Sequence, residues 1–401
     1  SIKTVTPQII DRAIDKDVVN EVYVKISIKD ELFGETRKNL FSGISPGMMK
    51  TEKYSPGRSL FLGLVNDQLP DLSLAPIKHR SRNNQLLLAS FQDLEDSFYS
   101  LSYLIDKSRI AIVIGSSTSG ISGEEDAFPY LMANNKFPES FDLSQRLFCS
   151  PANFLADKLG VSGIVHGIST ACTSSSKAII SGARLLKSGM ADLVIAGGVD
   201  TLCKFTVAGF TAIESVSTDR CNPLSLNRSG INIGEGSALF LMSRQPGGIS
   251  LSGWGESSDG YHISAPDPSG LGAALAVNDA LKMSARRIDQ VEYINLHGTA
   301  TRHNDAMESQ LVSKLGFECP VSSTKPLTGH TLGAAGAIEA AISCLALEGD
   351  GRLPPHLWDK VQDPDLPKLN IAAQLESAPQ VVMTNNFAFG GNNTSLILER
   401  A

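Results

Sequence analysis

The chain has 401 residues, of which 42% are hydrophobic and 19% are charged, a mix typical of folded globular proteins and not of disordered or fibrous ones. Its 35 Lys and Arg stand against 42 Asp and Glu, a formal net charge of −7, so nucleic acid is not expected as a partner, because phosphate binding needs a concentrated basic surface. The length allows two or three domains, or one large fold built by duplication.

No apolar stretch approaches the roughly 20 residues that a membrane-spanning helix needs. The opening Ser1-Ile2-Lys3-Thr4 also lacks the basic-then-apolar pattern of a signal peptide. We therefore expect a cytoplasmic protein with no membrane span. The six cysteines are scattered without a Cys-x-x-Cys pair, which predicts reduced thiols and neither a zinc ribbon nor a disulfide framework.

The beginning of the chain predicts few elements. Residues 1–20 are expected to be an extension outside the fold proper. A short β-like run covers Val22 to Ile26, and a helix is expected near 35–42. The basic cluster Lys78-His79-Arg80-Ser81-Arg82 follows, and so short a charge run is commonly a solvated loop.

From residue 110 onward, strands and helices are predicted in alternation. Compact apolar runs predict buried strands over 110–115, 163–168, 193–198, 291–296 and 381–384. Small and apolar residues at helical spacing predict helices over 178–186 and 333–347. This alternation favours an α/β fold with a mainly parallel sheet and helices on both faces. The second half repeats the order of the first, which indicates an internal duplication with a site between the halves.

Cys172 is the first candidate for chemistry. It lies between the strand at 163–168 and the following helix, amid small hydroxyl residues. Unpaired N–H groups and the helix dipole at such a helix N-terminus favour the thiolate, so the sulfur would be activated without a neighbouring base. The alternative is a small buried hydrophobic residue, which is what free cysteines usually are.

His297 comes directly after the strand at 291–296, a position well placed for a cleft. A structural histidine with satisfied hydrogen bonds is the alternative. His303 lies six positions further on, but no third ligand has a suitable spacing, so no metal site is expected.

His330 lies at the start of the predicted helix at 333–347, which is so rich in Gly and Ala that another backbone must pack closely on it. It occupies the place in the second half that Cys172 occupies in the first, so the pseudo-symmetry would bring the two side chains face to face. Lys325 could supply a fixed positive charge, with Glu339 inside the helix as its partner. The alternatives are an exposed lysine and an acid at the surface.

An aromatic and glycine-rich turn, Phe387-Ala388-Phe389-Gly390-Gly391, follows the last predicted strand. Adjacent glycines suit a loop that approaches a ligand or another backbone closely. The two phenylalanines could belong to the core, or could form a gate beside a backbone N–H that donates to an oxyanion.

In this order, the motifs resemble those of the β-ketoacyl-acyl-carrier-protein synthases of the thiolase superfamily, over residues 110–399. The matching motifs are Thr170-Ala171-Cys172-Thr173-Ser174, Ala196-Gly197-Gly198, Ser257-Ser258-Asp259-Gly260-Tyr261-His262, His297-Gly298-Thr299-Ala300-Thr301, Lys325 with Thr328-Gly329-His330, Gly333-Ala334-Ala335-Gly336 and Phe389-Gly390-Gly391. The resemblance implies a thiolase-like, five-layered αβαβα fold of two duplicated halves. Residues 21–246 would carry the nucleophile, and residues 247–401 the histidines, the lysine and the gating loop.

The resemblance implies a decarboxylating Claisen condensation, in fatty-acid or polyene-type lipid biosynthesis. Cys172 would take an acyl group from a carrier-protein thioester, a malonyl thioester would lose carbon dioxide, and the resulting enolate would attack the acyl-Cys172. No cofactor is implied, because the substrates travel on the phosphopantetheine arm of an acyl-carrier protein.

Each motif residue receives a role from this resemblance. His297 and His330 would donate hydrogen bonds to the malonyl thioester carbonyl, and Lys325 with Glu339 would set the electrostatics. The backbone N–H groups of Cys172 and Phe389 would form the oxyanion hole. The remaining residues would gate the acyl channel or contact the substrate: Phe389 and Phe387 as the gate, and Thr299, Thr301, Gly390 and Gly391 as binding residues.

Two departures from the family pattern concern the carrier protein and the gating turn. Glu214 stands where many relatives have an arginine thought to contact the acidic carrier protein. The cluster around Lys78, Arg80 and Arg82 offers replacement basic charge. Asn392 stands where a threonine commonly follows the two glycines, a change that should leave the N–H donors intact.

A homodimer is the default for this family, and a heterodimer with a related subunit is the alternative. The chain could itself be a chain-length-factor-like partner subunit that shapes the cavity without catalysis, although such a subunit has no need of Cys172, His297, His330 and Lys325. A coenzyme-A-using thiolase is disfavoured because neither Cys319 nor Cys344 lies in a motif suited to a second catalytic cysteine. The sequence from Asn295 to Glu308 looks most like that of the synthases found in aryl-polyene pathways.

Overall fold

The computed structural model describes residues 22–25, 37–371 and 374–401, which contain twelve strands and ten labelled helices. The strands are β1 (Val22–Lys25), β2 (Met48–Thr51), β3 (Leu60–Gly63), β4 (Ile110–Gly115), β5 (Val165–Ile168), β6 (Leu193–Asp200), β7 (Gly236–Ser243), β8 (Ile249–Ser258), β9 (Tyr293–Asn295), β10 (Val321–Ser322), β11 (Val381–Phe387) and β12 (Asn392–Arg400). The helices are α1 (Arg82–Gln92), α2 (Glu95–Ser102), α3 (Ile121–Asn134), α4 (Ser150–Leu159), α5 (Ser174–Lys187), α6 (Lys204–Ala212), α7 (Leu271–Ser284), α8 (Arg302–Leu315), α9 (Lys325–Thr328) and α10 (Ala335–Leu347).

The strands and helices expected from residue 110 onward are present. Of the helix expected near 35–42, residues 37–41 are helical, and residues 35 and 36 lie outside the described residues. Residues 1–20 also lie outside them. Within the described parts of the chain, no helix is both long enough and apolar enough to cross a bilayer.

Ten strands join one sheet in the order β10-β9-β11-β12-β8-β1-β7-β6-β4-β5. The outer strands pair in parallel, β4 with β5 and β6, and β9 with β10 and β11. The central strands pair antiparallel, from β6 through β7, β1, β8 and β12 to β11. The expectation of a mainly parallel sheet is therefore wrong. The alternation of strands and helices indicates the parallel crossovers, but each half ends in a strand, β7 or β12, that pairs antiparallel with the strand before it, and the alternation does not reveal that direction.

Five layers result, with two helices in the middle. Helices α5 and α10 pack on each other between the two halves of the sheet, while α1 and α4 cover one outer face and α7 and α8 the other. In β4, Ala111 and Val113 face the central helices, whereas Ile110, Ile112 and Ile114 face the outer ones. Both faces of the strand are buried, which explains its uninterrupted apolar run.

The central helices approach each other so closely that Gly336 has no room for a side chain. A Cβ at this position would lie 2.0 Å from Ser176 Oγ and 2.9 Å from the Ser176 backbone nitrogen. The close backbone packing expected of the Gly- and Ala-rich helix is thus present.

Buried hydrogen bonds tie the two halves together near the ends of these helices. The Asp200 carboxylate, at the end of β6, accepts hydrogen bonds from residues 116–118 of its own half. It also accepts one from the backbone N–H of Gly333 in the other half, at 2.6 Å. The Ala337 N–H donates to Ser175 Oγ at 2.9 Å. These bonds fix the beginning of α10 relative to the beginning of α5, where the candidate residues lie.

Candidate active site

Cys172 lies two residues before the first residue of α5, in a turn held by its own hydroxyl side chains. Thr173 Oγ1 donates to Thr170 O at 2.7 Å, and Ser174 Oγ donates to Ala171 O at 2.6 Å. Ala171 has a left-handed φ of 53°, a region that residues other than glycine adopt only with strain, and the chain turns sharply before the cysteine. The Cys172 side chain is buried, with 5% exposure.

The structure brings Cys172 and His330 into direct contact. His330 Nε2 lies 3.0 Å from Cys172 Sγ. The histidine is held by its backbone, because its N–H donates to Asn232 O at 2.6 Å and its carbonyl accepts from the Gly234 N–H at 2.9 Å. The ring of His297 lies beside that of His330, with the centroids 5.3 Å apart.

Burial raises the pKa of the Cys172 thiol to about 12, although the charge of Lys325 and a hydrogen bond from the Phe389 backbone N–H both act to lower it. The thiol is therefore protonated at neutral pH. The sequence predicts a thiolate activated without a neighbouring base, whereas in the structure burial opposes the thiolate and a candidate base, His330, is in contact with the sulfur.

Lys325 organises His297 from the side away from the sulfur. Its ammonium lies 3.4 Å from His297 Nδ1, donates to the His297 carbonyl and is ion-paired with Glu339. An ammonium has only protons to give, so Nδ1 must accept and Nε2 must carry the ring proton. His297 is thereby fixed as a hydrogen-bond donor through Nε2.

Both histidines are neutral at physiological pH. Burial, followed by the charge of Lys325, lowers the pKa of His297 and of His330 well below the usual range. Nδ1 of His330 has no hydrogen-bond partner among the described residues, so nothing there fixes its tautomer. One imidazole is thus locked as a donor, while the other can present Nε2 either as an acceptor or as a donor.

Glu339 connects the lysine to the opposite half through buried amides and hydroxyls. Asn386 Nδ2 donates to Glu339 Oε2 at 2.6 Å, and Ser176 Oγ donates to Asn386 Oδ1 at 2.6 Å. Burial raises the pKa of Glu339, and Lys325 opposes that shift. The resulting chain of contacts runs from α5 through β11 and α10 to Lys325.

Sequence reasoning did not assign a role to Glu308 or Asn386. Glu308, on α8, accepts hydrogen bonds from the backbone N–H groups of His297 at 2.8 Å and Gly298 at 2.7 Å. Burial raises the pKa of this carboxyl to about 7. One feature of the sequence could have identified Glu308. It stands next to Met307 and three residues before Leu311, both of which are buried, so it falls on the apolar face of an amphipathic helix.

The turn from Phe387 to Gly391 lies against both the sulfur and the histidines. The Phe389 backbone N–H lies close enough to the Cys172 sulfur to lower the pKa of the thiol. The Phe389 ring is 5.7 Å from that of Phe210, and the Phe387 ring is 6.3 Å from that of His297. Gly390 and Gly391 have φ values of 80° and 76°, a region that other residues adopt only with strain.

A cavity of about 70 Å³ opens onto these side chains. Its walls include Cys172, Phe210, Ser215, Ile231, Ser264, His297, Thr299, Thr301, His303, Asn304, His330, Phe387 and Phe389. Thr299 and Thr301 thus lie on the cavity wall with their hydroxyls 2.9 Å apart. Gly390 and Gly391 do not line it; Gly391 is buried against Asp259, and Gly390 is exposed.

The ligating atoms of Cys172, His297 and His330 all lie within 4.8 Å of one another, a spacing that three ligands of a metal ion could share. A metal-bound imidazole nitrogen must be unprotonated, and its other nitrogen usually donates to a carboxylate or carbonyl. Lys325 imposes the opposite arrangement on His297. The site therefore fits hydrogen bonding to a carbonyl better than binding of a metal.

The three basic residues of the 78–82 cluster differ in their surroundings. Lys78 forms an exposed ion pair with Asp157, and Arg80 donates to Ala75 O at the surface. Arg82 is bonded to Val65 O and to Glu235, whose side chain is completely buried. Arg82 therefore holds an internal carboxylate, while Lys78 and Arg80 face the solvent.

Comparison with known proteins places this geometry in context. A family model described as the beta-ketoacyl synthase N-terminal domain matches residues 78–246, and the corresponding C-terminal domain matches residues 249–358. The 3-oxoacyl-[acyl-carrier-protein] synthase 2 of Rhizobium meliloti is 33% identical over 326 residues, which cover 74% of this chain and 75% of the relative. Its namesake in Synechocystis is 30% identical over 335 residues, which cover 78% and 80%.

One solved structure matches the whole chain. It is described as the ketosynthase ApeO in complex with its chain length factor ApeC, from Xenorhabdus doucetiae. The matched chain is 38% identical, the TM-score is 0.89, and the alignment covers 100% of both chains.

Proposed function

Because this chain belongs to the beta-ketoacyl synthase family and is a 3-oxoacyl-[acyl-carrier-protein] synthase, we propose that Cys172, His297 and His330 form its reaction centre. The enzyme is a C–C bond-forming acyltransferase with a thiolase-like fold. The observation that supports this assignment of residues is the 3.0 Å contact between His330 Nε2 and Cys172 Sγ at the wall of the cavity.

In the first half-reaction, the Cys172 sulfur attacks the carbonyl carbon of an acyl thioester. Its proton passes to His330 Nε2, the new S–C bond forms, and the bond to the pantetheine sulfur breaks as that sulfur takes up the proton from His330. The backbone N–H groups of Cys172 and Phe389 stabilise the tetrahedral oxyanion. A protonated thiol beside an untethered imidazole suits this transfer, because the base is present before substrate binds.

In the second half-reaction, a malonyl thioester loses carbon dioxide, and the electrons of the broken C–C bond move onto the thioester oxygen. The Nε2–H of His297, fixed by Lys325, donates to this oxygen. His330 joins it after its proton moves to Nε2. The enolate carbon then bonds to the acyl carbon as the bond to the Cys172 sulfur breaks, and the sulfur takes up a proton from solvent, which restores the thiol. Neutral donors in a buried site stabilise the new charge without competing for the proton.

We assign supporting roles to the neighbouring side chains. Glu339 balances the charge of Lys325, and Phe387 and Phe389 gate the cavity. Thr299 and Thr301 contact the pantetheine arm. This arm carries the substrates, so no separate cofactor is needed. Gly390 and Gly391 allow the turn to approach the substrate closely. We also propose that residues 21–246 and 247–401 form the two duplicated halves of the fold. The cysteines are free thiols, which favours a cytoplasmic location for the enzyme.

For the carrier protein, we propose a docking surface that includes Lys78 and Arg80. Both are basic and exposed, as a surface that attracts an acidic partner requires. Arg82 belonged to the same expectation, but its guanidinium is engaged by Glu235. Its contribution to docking is therefore indirect, through the position of the loop.

We further propose that the chain pairs with a chain-length-factor subunit and serves aryl-polyene or related polyene synthesis. The solved relative is described as a complex with its chain length factor. Large apolar side chains are exposed on α3, α6 and the segment between α3 and α4: Phe128, Met132, Leu147, Phe148 and Phe205. Strand β5 is also an edge of the sheet, so this face of the isolated chain is ready for a partner. A homodimer through the same face is the second outcome.

That this chain is instead the non-catalytic partner is not favoured, since the nucleophile and both histidines are present and in contact.

Intact-protein mass spectrometry with a panel of acyl-carrier-protein thioesters tests the reaction centre, with peptide mapping to find the modified residue. We expect an acyl mass on Cys172, and the preferred donor reports the chain length. Size measurement of the purified chain, alone and coexpressed with a chain-length-factor subunit, tests the pairing. Stable homodimers that exclude that subunit would contradict the heterodimer.

A further inference from the structure

Two consecutive residues of α5 bind the two ends of the loop between β11 and β12, which contains Phe389 and is called the gating loop below. Ser176 Oγ donates to Asn386 Oδ1 at 2.6 Å, just before Phe387. Lys177 Nζ donates to Asn392 Oδ1 at 2.8 Å, just after Gly391. Because α5 begins two residues after Cys172, these bonds set the position of the loop relative to the nucleophile.

The two anchors differ in their surroundings. The Ser176 and Asn386 anchor is fully buried and continues to Glu339. Lys177 and Asn392 are half-buried, and burial lowers the pKa of Lys177. A partly desolvated ammonium makes a stronger hydrogen bond to an amide oxygen than an exposed one does. This second anchor is therefore a specific bond and not a surface contact.

Apart from these anchors, the loop is held through its backbone. The N–H groups of Ala388 and Gly391 donate within the loop, to Asn392 O and Ala388 O, and Asn392 pairs with Ser258 of β8. Gly390 and Gly391 have no side chains, and two further backbone bonds join them to the segment that follows β8. The Gly390 N–H donates to Ile263 O at 2.7 Å, and Gly391 O accepts from the Asp259 N–H at 2.8 Å. Ile263 is itself 79% exposed. The bond from Lys177 to Asn392, by contrast, links the end of the loop to α5, the helix that follows Cys172.

We propose that Lys177 and Asn392 form a positioning pair that keeps the Phe389 N–H aimed at the reacting carbonyl oxygen during acyl transfer. The proposal rests on the oxyanion role given above to Phe389. It also gives a reason for Asn392 at a position where the resembled family commonly has threonine, because the asparagine oxygen reaches one bond further toward the lysine.

The test compares Lys177→Met with Lys177→Arg and with Lys187→Met. Lys187 is on the same helix and also half-buried, but it lies over the Trp254 ring, with its Nζ 4.5 Å from the ring centroid, away from the gating loop. The readout is the single-turnover rate of Cys172 acylation at saturating donor, with the KM for the donor and the thermal midpoint measured alongside.

Lys177→Met should slow acylation about tenfold, a fraction of the loss expected when an oxyanion donor is removed outright. The KM should change less than about twofold, because the pair acts on the oxyanion formed during transfer and not on binding. Lys177→Arg should restore most of the rate, and Lys187→Met should match the parent enzyme.

Asn392→Leu breaks the same bond from the loop side, and the double variant with Lys177→Met should be no slower than either single variant. Normal acylation in Lys177→Met, or an equal loss in Lys187→Met, would overturn the positioning pair. A parent enzyme that acquires no acyl group on Cys172 would instead overturn the reaction centre, so the two failures are distinguishable.

Discussion

Lys325 Nζ lies 3.4 Å from Nδ1 of His297, and the same ammonium is ion-paired with the buried carboxylate of Glu339. A lysine in this position can only donate, so the contact determines which nitrogen of His297 carries the proton. It also helps to keep the imidazole neutral. A cation that touches no reacting atom thus decides what the neighbouring histidine can do.

Cys172→Ala should abolish both the acyl adduct and condensation, with a loss of at least about a thousandfold, because no other thiol lies in the reaction centre. The fold should be retained, since the change removes one atom beside an existing cavity. Mass spectrometry and circular dichroism check the two statements. An acyl group transferred at the normal rate to the variant would contradict the assignment of the nucleophile.

Lys325→Met should lower kcat about a hundredfold, because His297 loses its fixed tautomer and with it a charge-stabilising donor. The variant also leaves Glu339 buried without its partner, so the free energy of unfolding should fall by about 3 kcal/mol. Adding Glu339→Gln should recover most of this stability but none of the activity. Recovery of both together would mean that the lysine acts only on the fold.

The two histidines should make the enzyme less stable in mild acid. Their folded pKa values lie below the value of about 6.5 expected in the unfolded chain, because burial disfavours the cation. As the pH falls below about 6.5, the unfolded chain binds protons first, and the free energy of unfolding decreases by about 1.4 kcal/mol per pH unit for each histidine.

Urea unfolding between pH 7.5 and 5.5 measures the net slope, to which the buried His356 adds and from which Glu308, with its pKa raised to about 7, subtracts. His330→Ala should reduce the slope by the contribution of about one proton. Equal slopes in the parent and in His330→Ala would show that His330 takes up no extra proton on unfolding.

Reversal of charge at Lys78 and Arg80 should raise the KM for acyl-carrier protein roughly fivefold at low salt, because exposed charges act mainly on encounter with the partner. Turnover of a small pantetheine substrate should not change. Arg82→Ala should act differently and lower stability by about 2 kcal/mol, since it leaves the Glu235 carboxylate without its guanidinium. Identical effects from all three positions on both substrates would indicate general damage to the loop.

The strands and helices from residue 110 onward were predictable because strong local signals coincide there. Ile110–Gly115 is uninterrupted by polar residues, and the residues after Cys172 have helical spacing and end at a glycine. The antiparallel centre of the sheet was not predictable. Pairing direction depends on which strand lies beside which, and the alternation of strand and helix does not report it.

The residues of the site were visible where a motif marked them, but their protonation was not. Sequence patterns identified Cys172 and His330, whereas the raised pKa of the thiol follows from burial, a property of the complete fold. Glu308 and Asn386 went unassigned because each acts on the backbone or side chain of another residue. Their roles require distances that the sequence does not contain.

The Asp200 carboxylate, which accepts from Gly333 across the two halves, bears on how the enzyme is made. The ribosome completes the first half, with its thiol, well before either histidine has been synthesised. Until the later half docks on that carboxylate, Cys172 has no imidazole beside it and lacks the Phe389 N–H that would complete the oxyanion hole. The proposed reaction centre is therefore assembled only when both halves have folded against each other.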